Sequence, residues 1–270
     1  MCKECGRLLA EHGDAERVPL VQRLRQIEVP GDQGSKEWLD NRLGVLTASE
    51  MDGILAGRRA SLLRKAGVER FAGNKFTEHG NRYEPVACAR YEQTTGHVVA
   101  HFGLWIDRDR LDPAAPVGGS PDGVTLCGRL LEIKCPFSRK ITGVIPEHYV
   151  AQVQLLMHVA QLAECDFVEF RPDTMTPPGE GEVLSIAGVS REAGWWGGAR
   201  VAAAAAFFAD YRALVETPGK VEALRATRAA RLAKRRAPPP AGFADDECRF
   251  VMHAPDIVAR RNRVGGRIKK

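Results

Sequence analysis

The amino-acid sequence predicts an α/β fold, an antiparallel meander of strands covered by helices. In 129-RLLEIKC-135 the residues alternate, so Leu131, Ile133 and Cys135 share one face while Leu130, Glu132 and Lys134 share the other. Just before it, 126-LCG-128 reads as a hairpin loop in which Gly128 supplies a positive φ, returning 117–124 as the partner strand. Helical stretches over about 76–95 and 147–163 flank this hairpin and supply the covering layer.

From the N-terminus, 36-KEWLDNRL-43 is expected to form a short helix. The stretch 47-TASE-50 is a capping box opening another, with Thr47 at the cap and Glu50 reaching back to it. The helix over 76–95 should break or restart at Pro85. Strands follow near 97–106, 117–124 and 129–135, then the helix over 147–163 and strands at 165–171 and 183–189. A last helix covers about 195–216, with Trp195 and Trp196 opening it as packing anchors. The chain thus divides into a flexible N-terminal extension (1–34), one α/β domain (35–216) and a basic C-terminal helix with a disordered tail (217–270).

With 44% hydrophobic and 27% charged residues, the 270-residue chain can bury a core of ordinary size. The longest apolar run, 201-VAAAAAFFA-209, is too short to cross a bilayer, so no membrane partner is expected. The N-terminal segment lacks an apolar signal core, which points to an intracellular protein, cytoplasmic or nuclear. Seven cysteines at irregular spacings suit reduced thiols. Cys2, Cys5 and His12 make half of a zinc pattern, but no second close pair accompanies them, and the terminus reads as disordered.

The net charge of +5 is uneven: from Gly219 onward Lys and Arg outnumber Asp and Glu by 14 to 5, leaving the preceding residues at −4. Arg225, Arg228, Arg231 and Lys234 recur on an alanine-rich helix that 238-PPP-240 should end, and 260-RRNRVGGRIKK-270 closes the chain. Such a tail is either a nucleic-acid-binding arm or a solubilising or localisation segment.

A hairpin centred on Cys127 sets Asp122 directly across from Glu132. Like charges opposed roughly 5 Å apart destabilise a sheet. A divalent cation resolves the conflict, and two carboxylates at this separation suit Mg²⁺. Lys134, about 6.6 Å along the same face, can orient or deprotonate water or steady a phosphate's charge. Gly118 and Gly119 permit close backbone approach. Separately, Ser-Pro-Asp-Gly is a common turn and Glu-x-Lys a common strand face; together at hairpin spacing they indicate phosphodiester cleavage.

Pro121-Asp122 followed by Glu132-Ile133-Lys134 matches the PD-(D/E)xK nuclease signature. With 42-RLGVLTASE-50, 79-HGNRYEPVA-87, 117-VGGSPDGV-124, 130-LLEIKCP-136 and 148-HYVAQVQLLMHV-159, in that order, residues 35–216 resemble the YqaJ viral recombinase family of phage lambda-type alkaline exonucleases. The resemblance implies a restriction-endonuclease-like core with a central mixed sheet. It also implies that Glu84 adds a carboxylate to the metal centre of Asp122, Glu132 and the Ile133 carbonyl, and that Gln152 positions water or phosphate. Taken by itself, Glu84 reads equally as a solvent-facing helix residue. Some relatives carry a tyrosine four residues beyond the glutamine; here that position is Leu156.

Arg42 and Ser49 match positions that bind a terminal 5′-phosphate in lambda-type enzymes. Ser49 lies in the first turn of a capped helix, where free N–H groups attract anions, and Arg42 can add a bidentate guanidinium; Ser120 is a third candidate. Arg42 can equally pair with Glu37 or Asp40. The resemblance implies Mg²⁺, with Mn²⁺ as substitute, 5′→3′ digestion of one strand from double-stranded DNA ends, a homotrimer, and a single-strand annealing protein as partner. Two other readings remain: an endonuclease of the same chemistry on DNA or RNA, and a DNA-binding module with a vestigial site.

Overall fold

The structure, a computed structural model, describes residues 1–31, 33–69, 73–107, 115–176 and 181–236. The segments 238–240 and 260–270, expected to end the basic helix and to form a disordered tail, lie outside the described residues. The chain divides into two units, Met1–Arg225 and Ala226–Lys270.

The first unit begins with α1 (Lys3–His12), α2 (Pro19–Arg25) and β1 (Glu28–Val29). Residues 1–31 are therefore not part of a flexible extension: Cys5, Val18, Val21 and Leu24 enter the core, and β1 pairs with a later strand. Helix α3 (Lys36–Leu43) is capped by the Ser35 hydroxyl, which accepts from the Trp38 N–H at 3.1 Å. Strand β2 (Leu46–Thr47) leads through the expected capping box, whose Glu50 carboxylate accepts from the Thr47 N–H at 3.0 Å. What the box opens is only a 3₁₀ turn, Ala48–Glu50, running into the five-residue α4 (Met51–Leu55); α5 (Ala60–Lys65) follows.

Helix α6 (Lys75–Thr95) runs without a break through Pro85. The expected interruption fails because Pro85 is exposed, where the carbonyl freed one turn earlier meets solvent, and because Ala87, Cys88 and Tyr91 anchor the following turns in the core.

The stretch 97–106 yields two strands, β3 (Val99–Ala100) and β4 (Leu104–Asp107), which join different sheets. The stretch 117–124 likewise splits into β5 (Val117–Gly119) and β6 (Gly123–Thr125). The second split falls at Ser120-Pro121-Asp122, where proline has no N–H to continue a ladder. Then come β7 (Arg129–Lys134), α7 (Glu147–Ala160), β8 (Glu164–Arg171), β9 (Val183–Ser190), α8 (Ala199–Val215) and α9 (Lys220–Arg236). Trp195 is a buried anchor, as expected, but it precedes α8 and does not open it.

Among the described residues one sheet has the order β1-β4-β5-β2 and the other β3-β6-β7-β8-β9. The second is mixed, because β7 and β8 are parallel. A simple antiparallel meander is ruled out by α7: a helix packed on one face of the sheet carries the chain back to the end from which it started. Leu131, Ile133, Val168 and Phe170 pack beneath α6, while Leu130 and Phe167 join α7 and the N-terminal helices in the main core. The faces thus divide as the alternation in 129–135 predicts.

Gly118 and Gly119 serve packing within the protein rather than ligand approach. A Cβ on Gly118 would lie 2.1 Å from the Trp105 carbonyl oxygen, and one on Gly119 2.9 Å from Leu156.

Candidate active site

The hairpin has the register expected of it: Gly123 faces Leu131 and Val124 faces Leu130, with Gly128 at φ +95° closing the turn. Extending that register by one residue sets Asp122 opposite Glu132. Asp122 lies just past the last ladder pair, and its carboxylate turns to accept the Ile133 N–H at 2.5 Å. His101 Nδ1 lies 3.0 Å from the Asp122 carbonyl oxygen, tying the crossover between the sheets in place.

Glu132 is fully buried. Its Oε1 accepts from the Lys134 ammonium and from Gln152 Nε2, the latter at 2.6 Å. Its Oε2 has no hydrogen-bond partner among the described residues. Gln152, one turn inside α7, therefore holds a carboxylate oxygen rather than a free position for water or phosphate. Lys134 also lies 5.2 Å from the centre of the Tyr149 ring, one turn earlier on α7.

Glu84 does not face solvent on α6; it lines the same cleft as Asp122, Ile133, Lys134 and Tyr149, with a volume of about 400 Å³. Burial, with Asp122 nearby, pushes the Glu84 carboxyl up to about 7. Burial does the same to Glu132, also to about 7, with Lys134 opposing and Asp122 adding to the rise. Asp122 is raised as well, chiefly by burial. For Lys134, burial favours the neutral amine, but Glu132 and Asp122 outweigh it and hold the group above its ordinary value. That geometry gives Lys134 a carboxylate-paired position beside the cleft, suited to steadying charge there.

Three carboxyl groups that disfavour one another's charge, a buried oxygen lacking a partner and an all-oxygen donor set fit a hard divalent cation. Asp122, Glu132, Glu84 and the Ile133 carbonyl are the groups that would hold it.

The three residues expected to contact phosphate lie around α3 and the β2–β5 pair. Trp38 Nε1 donates to Ser120 Oγ at 3.1 Å, and the Arg42 guanidinium stacks 4.3 Å from the Trp38 ring centre. Trp38 therefore joins two of them, and its position four residues before Arg42 on one helix was a readable signal. Asp40 pairs with Lys36 at 2.5 Å rather than with Arg42. Strand β2 lies parallel to β5 with Thr47 beside Gly118, so exposed Ser49 sits on the same side of the fold as Ser120. Burial lowers the pKa of Arg42, and the nearby Glu50 opposes that shift. The 3₁₀ turn and five-residue helix after Thr47 give Ser49 much less dipole than a full helix would.

The sequence reading missed three contributors. His101 braces Asp122 from the loop after β3; Tyr149 underlies Lys134; and Lys65, buried, donates to the Arg42 carbonyl at 2.7 Å and pairs with Glu50 at 3.0 Å. For Tyr149 the spacing of three residues before Gln152 on one helix was a usable signal. His101 and Lys65 reach their partners through tertiary contacts alone.

The profile of the YqaJ-like viral recombinase domain matches residues 37–163. An uncharacterized protein of Acanthamoeba polyphaga mimivirus is 33% identical over 181 residues, which cover 58% of this chain and 32% of that protein. The chain thus spans about a third of the length of this curated relative. Among solved structures, the alkaline exonuclease LHK-Exo from Laribacter hongkongensis is 28% identical, with 73% of this chain and all of that chain covered and a TM-score of 0.51. Its complex with dAMP gives a TM-score of 0.52 at the same identity and coverage. The matched segment contains β2, β5 and the whole β6–β7 hairpin with every residue of the carboxylate cluster. Residues 37–163 match the YqaJ-like viral recombinase domain, and the chain shares the PD-(D/E)xK fold of the alkaline exonucleases.

Proposed function

We propose that the chain is a Mg²⁺-dependent nuclease that degrades one strand of linear duplex DNA from its 5′ end, with Mn²⁺ able to substitute. The observation that carries this reading is the convergence of Asp122, Glu84 and Lys134 on one cleft, with Glu132 buried beside them on Lys134 and one of its oxygens left without a partner among the described residues. LHK-Exo, an alkaline exonuclease crystallised with dAMP, supports a mononucleotide product.

In the reaction, water attacks the phosphorus between the first two nucleotides and the P–O3′ bond breaks. The departing 3′-oxygen takes a proton, and the shortened strand keeps a 5′-phosphate. A bound divalent cation supplies Lewis acidity and offsets phosphate charge. Lys134 contributes a fixed positive charge toward the phosphoryl oxygens, and Gln152 holds Glu132 in orientation. Because each cycle regenerates a 5′-phosphorylated end, a terminal-phosphate site at Arg42, Ser49 and Ser120 meets the same group every time. A homotrimer encircling the duplex and a partner protein that anneals the exposed single strand suit such an activity.

The test compares linear duplex bearing 5′-phosphate, linear duplex bearing 5′-hydroxyl, and covalently closed circles, each with Mg²⁺ and with EDTA. The phosphorylated linear duplex should be digested to mononucleotides about ten- to a hundredfold faster than the hydroxyl form, the worth of one charge-assisted contact, and only with Mg²⁺. Arg42→Ala should remove most of that preference. Rapid cutting of closed circles would establish an endonuclease instead.

A further inference from the structure

Far from the carboxylate cluster, Cys2, Cys5, His97 and Cys127 each present a ligand atom, and these four atoms all lie within 4.8 Å of one another. They come from three separate parts of the chain: the start of α1, the connection between α6 and β3, and the turn of the β6–β7 hairpin. His12, closer in sequence, takes no part and lies beside Glu11 at the end of α1. His97 Nδ1 stands 3.3 Å from Cys127 Sγ and 3.7 Å from Cys5 Sγ. A single ring nitrogen shared by two sulfurs is a poor hydrogen-bond arrangement. It is, however, the edge geometry of a tetrahedral site, where Zn–S of about 2.3 Å and Zn–N of about 2.0 Å set S···N near 3.5 Å.

The surroundings hold these donors in place. The Cys2 N–H donates to the Gly96 carbonyl at 2.5 Å. Gly96 has φ +70°, and a Cβ there would meet the Cys2 nitrogen at 2.8 Å, so only glycine allows the approach. The Tyr91 ring stacks on His97 with centroids 5.9 Å apart, and Thr125 Oγ1 lies 3.4 Å from Cys127 Sγ. Cys5 is fully buried while the other three are partly buried, as in a closed structural site.

We propose that Cys2, Cys5, His97 and Cys127 bind one structural Zn²⁺ that fastens the N-terminal helix to the closed end of the catalytic hairpin. Three thiolates and an imidazole select a soft tetrahedral cation over Mg²⁺. Cys127 is five residues from Asp122 and five from Glu132, roughly 16 Å along the strands, so this cation is distinct from the one at the cleft and acts on stability. The inference does not depend on the nuclease reading.

The full chain, purified under reducing conditions, should contain about one zinc by elemental analysis, and Co²⁺ exchanged for it should show the visible bands and sulfur-to-metal charge transfer of tetrahedral thiolate coordination. Phenanthroline should remove the metal and lower the melting temperature, and Zn²⁺ alone should restore it. Cys5→Ser and Cys127→Ser should lose the zinc, whereas Cys88→Ser, a buried cysteine outside the cluster, should keep it. Because the serine variants can fail to fold, His97→Cys gives a second reading: it should retain the cation, with Co²⁺ charge-transfer intensity raised by about a third as three thiolates become four. A folded native chain that neither contains nor takes up Zn²⁺, a Cys2–Cys5 disulfide in its place, or a Co²⁺ spectrum without thiolate bands would overturn the proposal.

Discussion

Glu132 has one oxygen held by Lys134 and Gln152 and another with no partner among the described residues, an arrangement costly for the fold by itself. Substitutions at this cluster should therefore separate activity from stability. Glu132→Gln, Asp122→Asn and Lys134→Ala should each lower turnover by more than about a hundredfold, while circular dichroism stays native. Asp122→Asn keeps an oxygen for the Ile133 N–H and removes a like charge. Without metal at pH 8 it should raise the melting temperature by about 2–4 °C, equivalent to about 1 kcal/mol. Gln152→Ala should weaken cation affinity by about 10- to 100-fold, as loss of an orienting partner does. The pH dependence has a definite sign. Glu132 and Glu84 take up protons on folding, since both rise from an ordinary 4.5 to about 7. Their contribution to metal-free stability is full below 4.5 and declines as pH rises through about 7. Cation affinity runs the other way, because binding requires the carboxylates. It should grow by roughly tenfold per pH unit for each of the two carboxyls, up to about a hundredfold per unit in all, until about 7 and then level. Calorimetric Mg²⁺ titrations from pH 5.5 to 8.5 measure this directly, and a flat profile would refute the assignment.

At the level of elements, the site depends on how closely two sheets meet. Asp122 occupies the crossover between β5 and β6, so displacement of β5 moves a proposed metal ligand. Gly118→Ala would drive a methyl group to 2.1 Å from the Trp105 carbonyl oxygen on β4 and 3.1 Å from Val45, both within the packed interior. It should cost more than about 3 kcal/mol, measurable as a large loss of melting temperature or of soluble protein. Gly53→Ala is the matched control. That position is helical in α4 with nothing within 4 Å of the added methyl, and the change should stabilise the chain by about 0.5–1 kcal/mol.

Across the whole molecule, positive charge is concentrated toward the C-terminus. Residues 226–270 carry 12 Lys and Arg against 4 Asp and Glu, and they coincide with the second unit. The first unit contains the whole cleft and the whole cysteine–histidine cluster, so removing 226–270 should leave turnover at saturating DNA within about twofold. The slope of log affinity against log salt should become shallower by several units, roughly 0.9 for each lost phosphate contact. An unchanged slope, measured by anisotropy on duplex DNA between 50 and about 300 mM salt, would assign the tail to solubility or localisation. Among the described residues, no helix is long and apolar enough to cross a membrane.

Local chemistry determined a good deal without tertiary information. Two-residue alternation in 129–135, a glycine at 128 and the pairing arithmetic around Cys127 sufficed to oppose Asp122 and Glu132 on the hairpin, because strand period and turn geometry are short-range properties. The capping box at Thr47, the helix at 36–43 and the helix expected over 147–163, which ends at Ala160, were legible for the same reason. What local chemistry could not decide was assembly. Which sheet each half of 97–106 and 117–124 would join, the parallel β7–β8 pair, and the burial of 1–31 all depend on contacts between residues distant in sequence. The role of Cys2 and Cys5 shows this most plainly. A nearby His12 suggested half of a zinc site and a missing remainder; folding supplies His97 and Cys127 instead, 92 and 122 residues beyond Cys5. Spacing reveals ligands only when they share an element, and here the elements meet only because α1 packs against the hairpin turn.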